Sequence, residues 1–277
     1  VSRRPRSPHR LLTSAALAGV LALATAGCST TGGPLLLRAT GSAERVATTP
    51  AVARSEADWR REVDTWGARY RADPSDRTTA MAYAKALSAT ERRAEAVSVL
   101  EQISLRNPKD PALLGAYGRA LADAGRFEQA LDVLGRAHSP DRPDWRILSA
   151  QGAVLDQLGR HKDAQAYYAS ALKIVPGEPT VLSNLGLSYA LAKDLRRAEA
   201  TLREAVGRPD ADPRVRQNLA LVVGLQGRFT DAEDLARADL PADEASANVA
   251  YLREMLAEKG DIKRIGRPAP IAARGRS

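Results

Sequence analysis

Three stretches of the chain superpose on one another without a gap: "LLGAYGRALADAGRFEQALDVLGRA" (113–137), "ILSAQGAVLDQLGRHKDAQAYYASA" (147–171) and "VLSNLGLSYALAKDLRRAEATLREA" (181–205). Gly118, Gly152 and Gly186 lie 34 residues apart, and so do Ala130, Ala164 and Ala198. Ala137, Ala171 and Ala205 make a third series; one period back lie Ala84 and Ala96, one period forward Ala220 and Ala232. Pro74, Pro108 and Pro176 keep the same step, with Pro143 and Pro209 each off by one. Self-similarity at such a period is the signature of stacked supersecondary units. Each unit reads as a helix A, a tight turn near Gly125, Gly159 or Gly227, and a helix B ended by proline, which lacks the NH that a continuing helix needs. Packed helix axes lie about 8–10 Å apart, so the point of nearest approach accepts only Gly or Ala. Leu121, Leu155 and Tyr189 from helix A, with Leu134, Tyr168 and Leu202 from helix B, fill the space around each crossing. One unit alone cannot bury its apolar face, so neighbours must stack.

The pattern resembles the tetratricopeptide (TPR) repeat. The resemblance implies an all-α, right-handed superhelical TPR solenoid, with five units over 77–246. Upstream, "ADWRREVDTWGARYRADP" (57–74) fits only the second half of a unit, so residues 55–76 are expected to form an N-terminal capping helix, with Trp59 and Trp66 covering the first repeat. Downstream, "ASANVAYLREMLAEKG" (245–260) places Val249, Leu252 and Leu256 on one side, which predicts a C-terminal capping helix over 247–260. Residues 261–277 lose the period and read as a disordered basic tail.

The formal charge of +8 suggests nucleic acid until it is located. The first 27 residues hold Arg3, Arg4, Arg6 and Arg10 and no acid, and the stretch from Lys259 holds six basic residues against Asp261. Without those ends, 31 basic residues face 32 acidic ones. A nearly neutral body lacks the continuous cationic surface that nucleic acid requires, so no nucleic-acid partner is expected.

"VSRRPRSPHR" followed by "LLTSAALAGVLALATAG" reads as a cationic segment and an apolar run too short to span a bilayer, which predicts a signal peptide over 1–27. Cys28, the sole cysteine, follows at once and cannot make an internal disulfide. Its place after Ala26–Gly27 resembles the bacterial lipobox, which implies lipidation at Cys28, although Thr25 stands where a leucine is usual. Cleavage after "ATA" (24–26), leaving a soluble periplasmic protein, fits the same residues. Residues 28–54, rich in Ser, Thr, Gly, Pro and Ala, read as a flexible tether.

No catalytic chemistry stands out. Cys28 lies at a processing site. His9, His138 and His161 have no metal-ligand spacing, and HExxH and CxxC are absent, so no metal or cofactor is expected and the chain reads as a non-enzyme. The working surface of such a fold is the groove lined by the A helices. In register these include Lys85, Arg119, Asp123, Arg146, Ser149, Asp156 and Gln157 in a polar front half. The back half holds Ser183, Leu187, Leu191, Arg214, Gln217, Leu221 and Leu225, and is apolar through its four leucines. Asn184 and Asn218 share one register and could hold a peptide backbone or bond to neighbouring helices. An apolar groove suits an amphipathic helix or extended peptide of a partner protein, or else the chain's own 245–260 helix. Met81, Gly115, Ser149, Ser183 and Gln217 occupy the position where carboxylate-clamp TPRs carry lysine, which argues against a chaperone-tail adaptor.

The lipobox-like amino end, the tether, and repeats ending in "LSNLGLSYALAKDLRRAEATLREA", "VRQNLALVVGLQGRFTDAE" and "NVAYLREML" together resemble the TadD-type TPR lipoproteins of the Flp (tight adherence) pilus assembly apparatus. The resemblance covers most of residues 55–258, with its specific part after Pro179. It implies a lipid-anchored outer-membrane protein facing the periplasm that assists secretin or other pilus components. A soluble periplasmic adaptor for another envelope complex, or an accessory of an envelope enzyme, fits the same fold.

Overall fold

The computed structural model describes residues 55–265, with side chains through Glu258. The signal-peptide and tether readings, and the tail from residue 266, lie outside the described residues. Among the described residues twelve helices follow in order: α1 (Glu56–Ala72), α2 (Arg77–Ala89), α3 (Arg93–Arg106), α4 (Pro111–Asp123), α5 (Phe127–Arg136), α6 (Trp145–Gln157), α7 (His161–Ile174), α8 (Pro179–Leu191), α9 (Leu195–Val206), α10 (Pro213–Leu225), α11 (Phe229–Arg237) and α12 (Ala242–Ile265). Helices α2 to α11 form the five expected A–B pairs.

Local chemistry repeats with the period. Asp76, Asp110, Asp144, Glu178 and Asp212 cap the five A helices, each side chain accepting a hydrogen bond from a backbone NH of the first turn. Four B helices start instead at Arg92, Arg126, Arg160 and Arg228, whose guanidinium groups bond to the side chain three residues on. The turn from A to B needs one residue in the left-handed region. Gly125, Gly159 and Gly227 supply it at φ of 75°, 73° and 83°, and Glu91 and Lys193 take the same position at 61° and 66°.

The small residues sit where the helices cross. A Cβ at Gly118 would stand 2.5 Å from Leu134, one at Gly152 2.7 Å from the Tyr168 ring, and one at Gly186 2.6 Å from Leu202. The facing alanines Ala130, Ala164 and Ala198 are fully buried. Each A helix also touches the next A helix, whereas no B helix touches another B helix among the described residues. The A helices therefore line the inner side of the array and the B helices its outer side.

The two ends are finished differently. Helix α1 has B-helix register and starts on a capping box formed by Ser55 and Asp58. Trp59 packs on the first core cluster, as expected. Trp66 corrects the sequence reading. It lies one period before Leu100, with Glu62 and Arg69 one period before Ala96 and Ile103, where other B helices face their own helix A. No helix A precedes α1 among the described residues, so these positions turn outward: the Trp66 indole donates to Glu62 and the Arg69 guanidinium lies 4.7 Å over its ring. At the other end, α12 starts earlier and runs further than expected. It packs only on α10 and α11, burying Ala245, Val249 and Leu252, with a Leu252 methyl over Gly224. It extends the stack and does not fold back over the A helices of the earlier units.

Gly152→Leu must displace the Tyr168 ring, a small-to-large change that costs about 1–3 kcal/mol or more. Thermal circular dichroism should give a strongly helical spectrum and an earlier transition for the variant. An unchanged midpoint would show that α6 and α7 do not cross at this glycine.

Candidate protein-binding groove

Helices α2, α4, α6, α8 and α10 carry every groove residue read from the sequence, and those residues divide into exposed, half-buried and buried ones. At the front, Lys85 and Arg146 are exposed, and Arg119, Asp123 and Gln157 are half-buried. At the back, Arg214 is exposed, while Gln217, Leu191, Leu221 and Leu225 are half-buried. Arg146 stacks 4.5 Å over Trp145, and Arg214 is held in a fork by Asp212.

The front half holds two charges that face each other without hydrogen bonding. Arg119 and Asp123 lie one turn apart on α4, and among the described residues neither side chain makes a hydrogen bond. Burial lowers the Arg119 guanidinium below its ordinary value, against the favourable fields of Asp144 and Asp123. Burial likewise pushes the Asp123 carboxyl up to about 6, opposed by Arg93 and Arg119 and aided by Glu91.

Six of the expected residues are buried: Ser149, Asp156, Ser183, Asn184, Leu187 and Asn218. The polar ones are occupied within the stack, so their expected role as groove lining is corrected. Asn184 Nδ2 donates to Ser149 Oγ at 3.2 Å, and one repeat later Asn218 Nδ2 donates to Ser183 Oγ at 3.0 Å. These bonds tie each A helix to its predecessor. They are missing at the front because Gly115 and Ala150 stand at the corresponding positions. Leu187 is 1 % exposed and presents no surface of its own.

Asp156 anchors a second link that the sequence did not disclose. Its carboxylate accepts from Ser188 Oγ at 2.8 Å and Tyr168 Oη at 3.1 Å, and faces His161 Nδ1 at 2.9 Å. Burial raises its pKa, while the bonds from His161 and Ser188 hold it down. Burial and the Asp156 charge together push the Tyr168 phenol well up. The carboxylate of α6 thus joins α7 and α8, two helices of different units. The sequence signal was Ser188 lying 32 residues after Asp156, close to one period, which carries no meaning until the register is known.

Chemically, the exposed and half-buried side chains of the A helices offer charged and apolar groups to a bound protein segment. Ser188 Oγ donates to the buried Asp156 carboxylate, and the part-exposed His161 meets the same carboxylate through Nδ1. No group of three or more His, Cys, Asp or Glu side chains among the described residues is placed to hold a metal ion. No helix among them is long and apolar enough to cross a membrane.

Comparison with known proteins agrees with the repeat register. The tetratricopeptide repeat family model matches residues 87–152 and 157–222. The described residues fold as an all-helical TPR array of paired helices. Its fold is similar to the crystal structure of PilW, described as a widely conserved type IV pilus biogenesis factor, with a TM-score of 0.61 at 17% identity, over 70% of this chain and 91% of that one. A tetratricopeptide repeat protein from Parabacteroides merdae aligns with a TM-score of 0.58 at 13% identity, over 74% and 83% of the two chains. A thermophilic TPR protein from Thermus thermophilus aligns at 0.54 with 23% identity, over 65% and 97%. At these identities the likeness is one of fold. No curated protein sequence matches the chain.

Tyr168→Phe keeps the ring over Gly152 and removes one donor from the buried Asp156 carboxylate. A hydrogen bond to a charged group is worth about 1.5–3 kcal/mol, so urea unfolding should shift by that order. A variant as stable as the parent would mean that the phenol does not support Asp156.

Proposed function

We propose that this TPR protein is a non-enzymatic assembly scaffold, held at the periplasmic face of the bacterial outer membrane through a lipid on Cys28, that assists the assembly of an Flp-type pilus and its secretin. The observation that carries the scaffold reading is the inner face itself. Five A helices align a charged front and an apolar back in one groove, and no reacting centre accompanies them among the described residues. TPR arrays act through protein–protein contacts. The pilus assignment is supported by the resemblance of the stretch after Pro179 to TadD-type lipoproteins, and by the fold shared with PilW, itself a pilus biogenesis factor. Anchoring is supported by the sole cysteine at the lipobox-like site. A diacylglyceryl group with an N-acyl chain provides at least two membrane signals, enough for stable residence. The tether over 28–54 then confines the groove to the layer near the membrane and raises its effective concentration for a partner there.

The experiment is metabolic labelling with palmitate, combined with fractionation and blotting for the secretin multimer. The wild-type chain should take up label and sediment with the outer membrane. Cys28→Ser should lose both properties and weaken multimer formation, while its repeats melt as before. A wild-type chain that stays unlabelled and soluble, with its amino end at Gly27, would replace this reading with that of a soluble periplasmic adaptor. Normal secretin multimers without the protein would remove the pilus assignment.

A further inference from the structure

One side of α1 faces no other helix among the described residues. The helix packs on α2, and Tyr70 donates to Gln102 of α3, both from the side that holds Val63, Gly67 and Tyr70. The other side carries a stripe of Asp58, Arg61, Glu62, Thr65, Trp66 and Arg69, which line a shallow depression. We infer that this stripe is a self-association site, on which a second copy of the chain lays its own α1 antiparallel to the first. The inference depends neither on the groove nor on the pilus assignment.

The stripe is complementary to itself when reversed. Its residues are spaced by the threes and fours that share a helix face, so a two-fold axis through its centre brings Asp58 to Arg69 of the second copy. The same axis brings Arg61 to Trp66 and Glu62 to Thr65. An acid then meets a base, a guanidinium meets an aromatic ring, and a carboxylate meets a small neutral side chain. A two-fold interface requires such self-complementarity. Laid parallel, the same stripes would set Asp58, Glu62 and Arg69 each against its like, which is repulsive.

Each charged group already has a partner on its own helix. Asp58 accepts from Ser55 and Arg61, Glu62 accepts from the Trp66 indole, and Arg69 lies 4.7 Å over the Trp66 ring. The Arg61 and Asp58 side chains remain 72% and 39% exposed. Pairs this exposed hold weakly in water and are shared or exchanged at little cost. Arg69 covers one face of the ring, and a second guanidinium can stack on the other. Trp and Arg are also among the residue types that carry most of the energy at protein interfaces.

Two other occupants fit the same face less well. The chain's own preceding segment has no turn by which to return as a helix A. Helix α1 runs through Ala57, one period before Glu91, where each of the five units turns from A to B in the left-handed region. Pro50 also stands one period before Ala84, at the crossing position. The other end of a second copy is the second alternative, because α12 packs on α10 and α11 as the helix A of a sixth unit would. Head-to-tail stacking would then complete a unit from α12 and α1. Its crossing positions, however, hold Glu62, one period before Ala96, and Glu254, one period after Ala220. Neither is small, and their like charges repel. A single pair of helices buries less than the roughly 1,200 Å² of a stable complex, so the antiparallel dimer is weak and concentration-dependent.

Sedimentation equilibrium of the full chain over a wide concentration range should show a reversible monomer–dimer equilibrium that stops at the dimer. Trp66→Ala should weaken it at least about tenfold. Arg69→Glu, which sets an acid against Asp58 of the second copy, should weaken it about tenfold. Asp58→Lys combined with Arg69→Glu should return to within about threefold of the parent. The two positions lie about three turns apart on one helix, so only contact between copies can produce that rescue. Circular dichroism checks that α1 survives the loss of its capping box. Thr65 lies close to its own copy across the axis, so Thr65→Cys in a Cys28→Ser background should give a covalent dimer with a short bismaleimide. A dimer indifferent to Trp66→Ala, a folded charge swap without rescue, or no covalent dimer from Thr65→Cys would each overturn the inference. Growth beyond the dimer would replace it with head-to-tail stacking. A chain that stays monomeric would overturn it too, and acrylamide quenching compared with Trp66→Phe would then show whether its own preceding segment shields Trp66.

Discussion

Everything in this molecule depends on a glycine or alanine meeting a large side chain where helix A crosses helix B. At Gly118, Gly152 and Gly186 the space of a missing Cβ is taken by Leu134, Tyr168 and Leu202. The close approach that results lets each pair bury both apolar faces. Because the contact recurs every 34 residues, each pair meets its successor at a similar angle. Among the described residues the A helices then touch one another and the B helices do not, which gives the array an inner face. The groove is a consequence of a packing constraint and needs no residue of its own to shape it.

Polar groups are placed according to how many neighbours surround them. In the middle of the array, where both sides are covered, Asp156 bonds to two neighbouring helices and each Asn amide donates to a Ser of the preceding unit, while Asn184 Oδ1 is buried without a partner. The bonded groups would be costly if left unpaired, so together they fix the relation of one unit to the next. At the amino end, the register positions that hold Ala96 and Leu100 in α3 hold Glu62 and Trp66 in α1, and these satisfy each other at the surface. In the last unit, Arg216 and Asp239 form an ion pair where earlier units use Leu182 with Ala205 or Leu148 with Ala171. The array therefore ends without exposing a wide apolar face, as stacked repeats must.

Much of this was legible in the sequence because a fixed period is a strong signal. The five units, the crossing residues and the left-handed turns at Gly125, Gly159 and Gly227 all follow from superposing three stretches. The turn residues Glu91 and Lys193 were hidden, since a non-glycine at positive φ leaves no compositional mark. Register assigned every groove residue to an A helix, but register cannot say how deep a position lies. Leu187 and Leu221 share one register position, yet one is buried and the other half-exposed. Asn184 and Asn218 read equally well as peptide ligands or as staples, and only the position of Ser149 and Ser183 on the preceding helix decides for staples. Trp66 was misplaced because a tryptophan near an end suggests a lid, whereas its register faces a helix A that is not among the described residues.

The central claim is that the inner face, and not the outer, is where this protein meets its partner. Site-specific photo-crosslinking tests it with a benzoylphenylalanine placed at Lys85 or Leu221 on the inner face, and at Leu105, which is 78% exposed on the outer helix α3. The account predicts a discrete higher-mass adduct from Lys85 and Leu221 in cells and none from Leu105. An adduct from Leu105 with none from the two groove positions would contradict it.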